Sequence, residues 1–132
     1  MTVAQMRVCD WQGVSYEEIV IENPTWEQIK MATQALNNQN LNDLYLHIND
    51  DTWLGIGGGD GQYLLTGAIG DDTFPRLVDA NKPSLPKISL TVGGQTGDYQ
   101  FNWIHDLTQT LIAVRDFYDN GGFSTNLNWV TV

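Results

Sequence analysis

The chain has 132 residues, 42% of them apolar, which suits one domain (residues 1–132) with its own core and no need of metal or disulfide staples. Sixteen acids against six bases leave a formal charge of −10. That balance argues against DNA, RNA and anionic lipid as partners and favours encounter with basic proteins, although acids also serve solubility alone. The single cysteine, Cys9, permits no internal disulfide and is compatible with a reducing compartment. Met1 to Trp11 lacks a basic segment leading into an apolar run, and no apolar stretch approaches the roughly 18 residues of a membrane span. The expectation is a cytoplasmic protein with no membrane contact.

Tyr16 to Ile21 reads as a first short strand. Asn23-Pro24 then precedes a helix. Thr25 is its N-cap, Gln28 completes a capping box, and Trp26, Ile29, Met31, Ala32 and Leu36 share an apolar face. The asparagine-rich piece Asn37 to Asn42 reads as a loop. Leu44, Leu46 and Ile48 alternate with Tyr45 and His47, and further strands are expected at Thr52 to Gly57, Gln62 to Ile69 and Phe74 to Val78. Gly70 to Thr73 and Asp79 to Pro86 have turn composition. Ile88, Leu90 and Val92 make the cleanest period-two run, and Tyr99, Phe101 and Trp103 alternate in the next. Asp106 caps a second helix with Gln109 in the capping-box position. Leu107, Leu111, Val114 and Tyr118 form its stripe, with Phe117 beside it, and Asp119-Asn120-Gly121 stops it. A last strand lies around Trp129. The pattern is α+β: an antiparallel sheet of about six or seven strands, with both helices packed on one side.

The glycine-rich segment Gly55 to Tyr63 lacks what a phosphate loop requires. It runs on into the strand Tyr63-Leu64-Leu65-Thr66 rather than a helix, and no Lys or Arg is near. A hairpin or bulged strand pair explains it, and a hairpin also explains Val92 to Tyr99. His47, His105 and Cys9 share no metal-ligand spacing, and Asn49-Asp50-Asp51-Thr52 is not a calcium loop. No nucleophile is followed by a base and an orienting group at usable spacing. These readings predict no catalytic residues, no metal and no cofactor.

In order, Pro24-Thr25-Trp26-Glu27-Gln28-Ile29, Gly57-Gly58-Gly59-Asp60-Gly61-Gln62-Tyr63, Val92-Gly93-Gly94-Gln95-Thr96-Gly97-Asp98-Tyr99, Asp106-Leu107 with Ala113 and Phe117, and Leu127-Asn128-Trp129 resemble the first immunity-protein family of bacterial polymorphic toxin systems. The resemblance runs from about Ile21 to Trp129. Gln100-Phe101-Asn102-Trp103 departs from it, where relatives often have Pro and a basic residue. The resemblance implies a small α+β protein, not an enzyme, that neutralises a cognate toxin domain by binding it, often a nuclease or nucleic-acid deaminase. An acidic protein suits the basic cleft of such a toxin. The partner surface is expected on the acidic turns, at Asp50, Asp51, Asp60, Asp71, Asp72 and Asp98, with Tyr63 as aromatic anchor. An orphan protein-binding domain without a toxin, and a small-ligand protein using the glycine-rich loops, remain the alternatives. The sequence leaves the oligomeric state open.

Overall fold

The computed structural model describes residues 2–131. Ten strands and two helices follow in the order β1 (Gln5–Gln12), β2 (Ser15–Glu22), α1 (Trp26–Ala35), β3 (Leu41–His47), β4 (Thr52–Gly59), β5 (Gln62–Ile69), β6 (Pro75–Leu77), β7 (Ile88–Val92), β8 (Gln95–Tyr99), β9 (Ile104–His105), α2 (Leu107–Asn120) and β10 (Trp129–Thr131). Eight strands form one sheet in the spatial order β10-β6-β5-β4-β3-β1-β2, with β9 also paired to β5, and β7 and β8 form a separate hairpin. Every pairing is antiparallel. The class is α+β, with a sheet wider than the expected six or seven strands.

Register explains the layers. On one face Ile21, Met6, Leu46 and Leu54 lie side by side across four strands. Beside them run Ile19, Val8, Leu44, Ile56 and Leu65. Both helices cover this face, through Ile29 of α1 and Ala113, Val114 and Phe117 of α2. Each helix starts at the anticipated capping box. Thr25 accepts from the Gln28 amide and Asp106 from the Gln109 amide, which satisfies amides that have no partner within the helix. Gly121 ends α2 in the left-handed conformation.

Four expectations need correction. No strand is expected before Tyr16, yet Gln5–Gln12 is β1, whose alternation lasts just Met6 and Val8 before Cys9 and Trp11 break it. The strand expected through Phe101 and Trp103 ends at Tyr99, and Phe101–Trp103 is a 3₁₀ turn. The buried stripe of α2 is Thr110, Ala113, Val114 and Phe117. Of the two helix stripes, Ile29, Leu36 and Val114 are buried and Trp26, Leu107 and Leu111 are half-buried, while Met31, expected on the apolar face of α1, points to solvent at 66% exposure. α2 presses its small and apolar face on the sheet and turns Tyr118 to α1, where its ring lies 5.9 Å from Trp26.

The hairpin β7–β8 covers part of the sheet's second face. It lies over the cross-strand row Cys9, Asp43, Gly57, Leu64 and Ile104. Leu64, Leu90 and Ile104 form a second small core there, with Ile88, Val92, Tyr99 and Trp103 against it. The supposed loop Asn37 to Asn42 is part of the seat. Asn38 accepts from the Thr91 amide at 2.7 Å and Asn42 from the Gly94 amide at 3.1 Å. Leu41 and Asn42 belong to β3, and the β1–β3 register shifts between Cys9 and Asp10. Gly57 is the floor. A Cβ there would stand 2.6 Å from Val92 Cγ1, so the hairpin seats only because the side chain is missing. Gly57→Ala is expected to lower stability by about 1–3 kcal/mol through overpacking, and Val92→Ala in the same chain to restore part of it. Denaturant unfolding of the two single variants and the double variant checks both.

Candidate functional site

Among the described residues no strand or helix lies over the rest of the second face, apart from the 3₁₀ turn whose Trp103 stacks on Arg76. The central row of this open part runs Val20, Arg7, Tyr45, Gly55, Thr66 and Arg76 across β2, β1, β3, β4, β5 and β6. The next row holds Gln5, His47, Trp53 and Ala68. Tyr45 and Trp53 meet edge to face with centroids 5.6 Å apart. Both rings close over Gly55, where a Cβ would lie 3.2 Å from each. His47 packs 6.3 Å from Trp53. Arg7 lies 3.8 Å from Glu18, and the Arg76 guanidinium sits 3.8 Å above the Trp103 ring. All six of these aromatic and basic side chains are half-buried, so each is both packed and accessible.

Asp43 joins the covered row to the open one. The residue is 2% exposed, and its carboxylate accepts from Trp11 Nε1 at 2.9 Å and from the Tyr45 hydroxyl at 2.6 Å. Tyr45 is thereby held in one orientation. Burial, then the hydrogen bond to Asp43, pushes its phenol above the ordinary range, so it stays a neutral donor. Cys9 lies in the same row, and burial, reinforced by the Asp43 charge, pushes its thiol up to about 12. The protonated form this favours is a poor nucleophile.

The expected contact residues divide. Asp50 and Asp51 lie in the β3–β4 turn, and Asp71 and Asp72 in the β5–β6 turn. Thr52 pairs with Ile69, so these two turns share one end of the sheet, next to His47 and Trp53. Asp60 is in the β4–β5 turn at the opposite end, roughly 25 Å away by strand length. Asp98 pairs with Ser89 on the hairpin. All six aspartates are exposed, but they do not converge on one surface. Tyr63 is only 2% exposed and belongs to the main core, since its register against Gly58 turns it to the helix side. Its side chain is out of a partner's reach. No local pattern marks Tyr45, Trp53, Arg7 and Arg76 as one surface. The alternation of Tyr45 and His47 against Leu44 and Leu46 was visible, but only strand pairing brings Trp53, Arg7 and Arg76 beside them.

The glycine-rich segments end in tight hairpins with positive φ at Asp60 and Gly61, and at Gly93 and Gly94. The cavity lined by Asp43, Tyr45, Gly55, Gly57, Leu64, Thr66 and Val92 holds about 30 Å³, room for a water and far below the roughly 300 Å³ of a small-molecule site. A groove of about 420 Å³ between the helices is lined by Trp26, Lys30, Thr108, Leu111, Ile112 and Arg115. Among the described residues no three His, Cys, Asp or Glu side chains group to hold a metal ion, and no helix is long and apolar enough to cross a membrane. No protein-family model, curated protein or solved structure matches the chain.

Removing the Asp43 carboxylate strands two donors. Asp43→Ala is expected to cost about 3 kcal/mol in chemical unfolding. Burial lowers the His105 and His47 pKa values from 6.5. In each, the unfolded chain binds a proton that the folded chain resists, so this stability is complete above pH about 6.5 and falls as pH drops below it. The melting temperature should therefore fall between pH 7.5 and pH about 5.5, and His105→Gln should flatten that slope. A melting curve as steep in the variant would show that His105 contributes nothing to it.

Proposed function

We propose that this protein is an immunity protein that binds a cognate bacterial toxin domain through the open half of its sheet and neutralises it by covering the active site. The observation that carries the reading is the composition of that face. Trp53, Tyr45, Arg7 and Arg76 are of the residue types that dominate binding energy at protein interfaces, and they lie together on rigid strands. Preorganisation by Asp43 and by ring packing over Gly55 reduces the ordering cost of association.

The charge pattern supports a basic partner. Of sixteen acids, only Glu18 and Asp119 are in ion pairs among the described residues. Asp50, Asp51, Asp71 and Asp72 rim the face at one end and would steer a cationic surface toward it. The order of motifs resembling the first immunity family adds the class of partner: a toxin acting on nucleic acid, whose own cleft must be basic to hold its substrate. Cytoplasmic residence, where such a toxin acts, belongs to the same proposal.

The test is co-expression with the toxin encoded beside this gene, read by growth and by affinity of the purified pair. Trp53→Ala is expected to cost about 2 kcal/mol or more in affinity. Changing Asp50, Asp51, Asp71 and Asp72 together to Asn should lower the association rate by about tenfold and weaken its salt dependence, with little change in dissociation. If the unaltered protein neither binds the toxin nor rescues growth, the immunity reading is wrong. If it rescues growth and both variants bind unchanged, the contact lies on another surface.

A further inference from the structure

β2 is the long free edge of the sheet. Ser15–Glu22 pairs with β1 on one side and, among the described residues, with no strand on the other, and the opposite edge, β10, is three residues long. The β1–β2 turn contains only Gly13 and Val14, so Gln12 and Ser15 close the hairpin as a hydrogen-bonded pair. Bonded pairs then alternate along the ladder, and the Asn23 amide donating to Ala4 O at 2.8 Å continues the alternation. The amides and carbonyls of Ser15, Glu17, Ile19 and Ile21 therefore point to β1. Those of Tyr16, Glu18, Val20 and Glu22 point outward, in a regular row.

Proteins blunt such an edge by shortening, bulging, a proline or charged side chains. β2 is neither short nor bulged and has no proline, and its one such device is the charge of Glu17, Glu18 and Glu22. Its register with β1 runs unbroken from Gln5↔Glu22 to Gln12↔Ser15, and Tyr16, Ile19 and Val20 are 51%, 50% and 44% exposed. A regular row of outward backbone groups, flanked by exposed apolar side chains and glutamates, is a template for another strand of suitable charge.

Charge selects the strand. β2 carries Glu17, Glu18 and Glu22, and Arg7 is the sole base on β1 or β2. Two copies joined edge to edge would gather both sets of glutamates at one seam between bodies of charge −10 each, which like-charge repulsion opposes. We infer that the β2 edge accepts an extended basic segment of a partner protein as a further strand of the sheet. Its Lys or Arg side chains lie beside Glu18 and Glu22 on one face, and apolar ones lie beside Ile19 and Ile21 on the other. That this segment belongs to the toxin rests on the immunity reading above; the capacity of the edge does not.

Amide hydrogen exchange on the full chain tests the inference. In the free protein Tyr16, Glu18 and Val20 should exchange fast and Ile19 and Ile21 slowly. Two probes are added separately: the neighbouring toxin domain, and a synthetic peptide alternating lysine with valine and isoleucine. Protection of Tyr16, Glu18 and Val20 by about tenfold or more with either probe supports strand addition. Val20→Pro, which deletes one outward N–H and no ladder bond, should keep the melting profile and weaken that binding by about tenfold. If the toxin complex forms while these amides stay fast, the inference is overturned and the immunity reading stands. If only the peptide protects them and no toxin complex forms, the edge is supported and the immunity reading fails. Protection by neither probe overturns the inference. So does a concentration-dependent dimer in sedimentation whose outward amides are protected without a partner, because a second copy is then the occupant.

Discussion

The seating of the β7–β8 hairpin over Gly57 is the constraint on which the layout of this protein depends. A sheet strand presents two faces, and β4 has both occupied over half its length: helices against Leu54 and Ile56, and Val92 against the bare backbone of Gly57. Only glycine lets a second layer approach so closely. Because the hairpin occupies one cross-strand row, the sheet is three-layered there and two-layered beside it. The open part of the second face is what this uneven coverage leaves.

The same seat organises the open face. Trp11 contacts the hairpin turn, where a Cβ on Gly94 would lie 2.5 Å from its ring, and donates to Asp43, which in turn holds the Tyr45 hydroxyl. A buried carboxylate is costly unless hydrogen-bonded, so Asp43 couples the packing of the hairpin to the orientation of Tyr45. The aromatic pair over Gly55 is consequently part of a rigid scaffold. Rigid aromatic anchors beside a guanidinium group are the part of this face on which the proposed binding role relies.

Much of the fold was legible because it rests on local rules. Both helix starts follow from a cap and a Gln three residues on, and both glycine-rich hairpins follow from turn residues between strand-like runs. β3, β5 and β7 were marked by their apolar runs and alternation. What escaped depended on partners distant in sequence. β1 alternates too briefly to announce itself, yet it is held between β2 and β3. Phe101 and Trp103 continue a period-two pattern that the chain abandons for a 3₁₀ turn. Asn38 and Asn42 have loop composition, yet their side chains receive the hairpin.

The candidate site divides in the same way. Residue types and charge by themselves set an acidic, aromatic-rich α+β chain, its capping boxes, its hairpin turns and the exposure of its acidic turns. These are properties of short segments or of the whole composition, and need no knowledge of what lies across the sheet. Only tertiary structure decided that Asp50, Asp51, Asp71 and Asp72 share an end while Asp60 and Asp98 lie elsewhere, that Tyr63 faces the core, and that Tyr45, Trp53, Arg7 and Arg76 form one surface. The physical reason is register. Side chains alternate across a strand with period two, so which residues become neighbours is set by pairing between strands tens of residues apart, and no local pattern in the chain encodes that pairing.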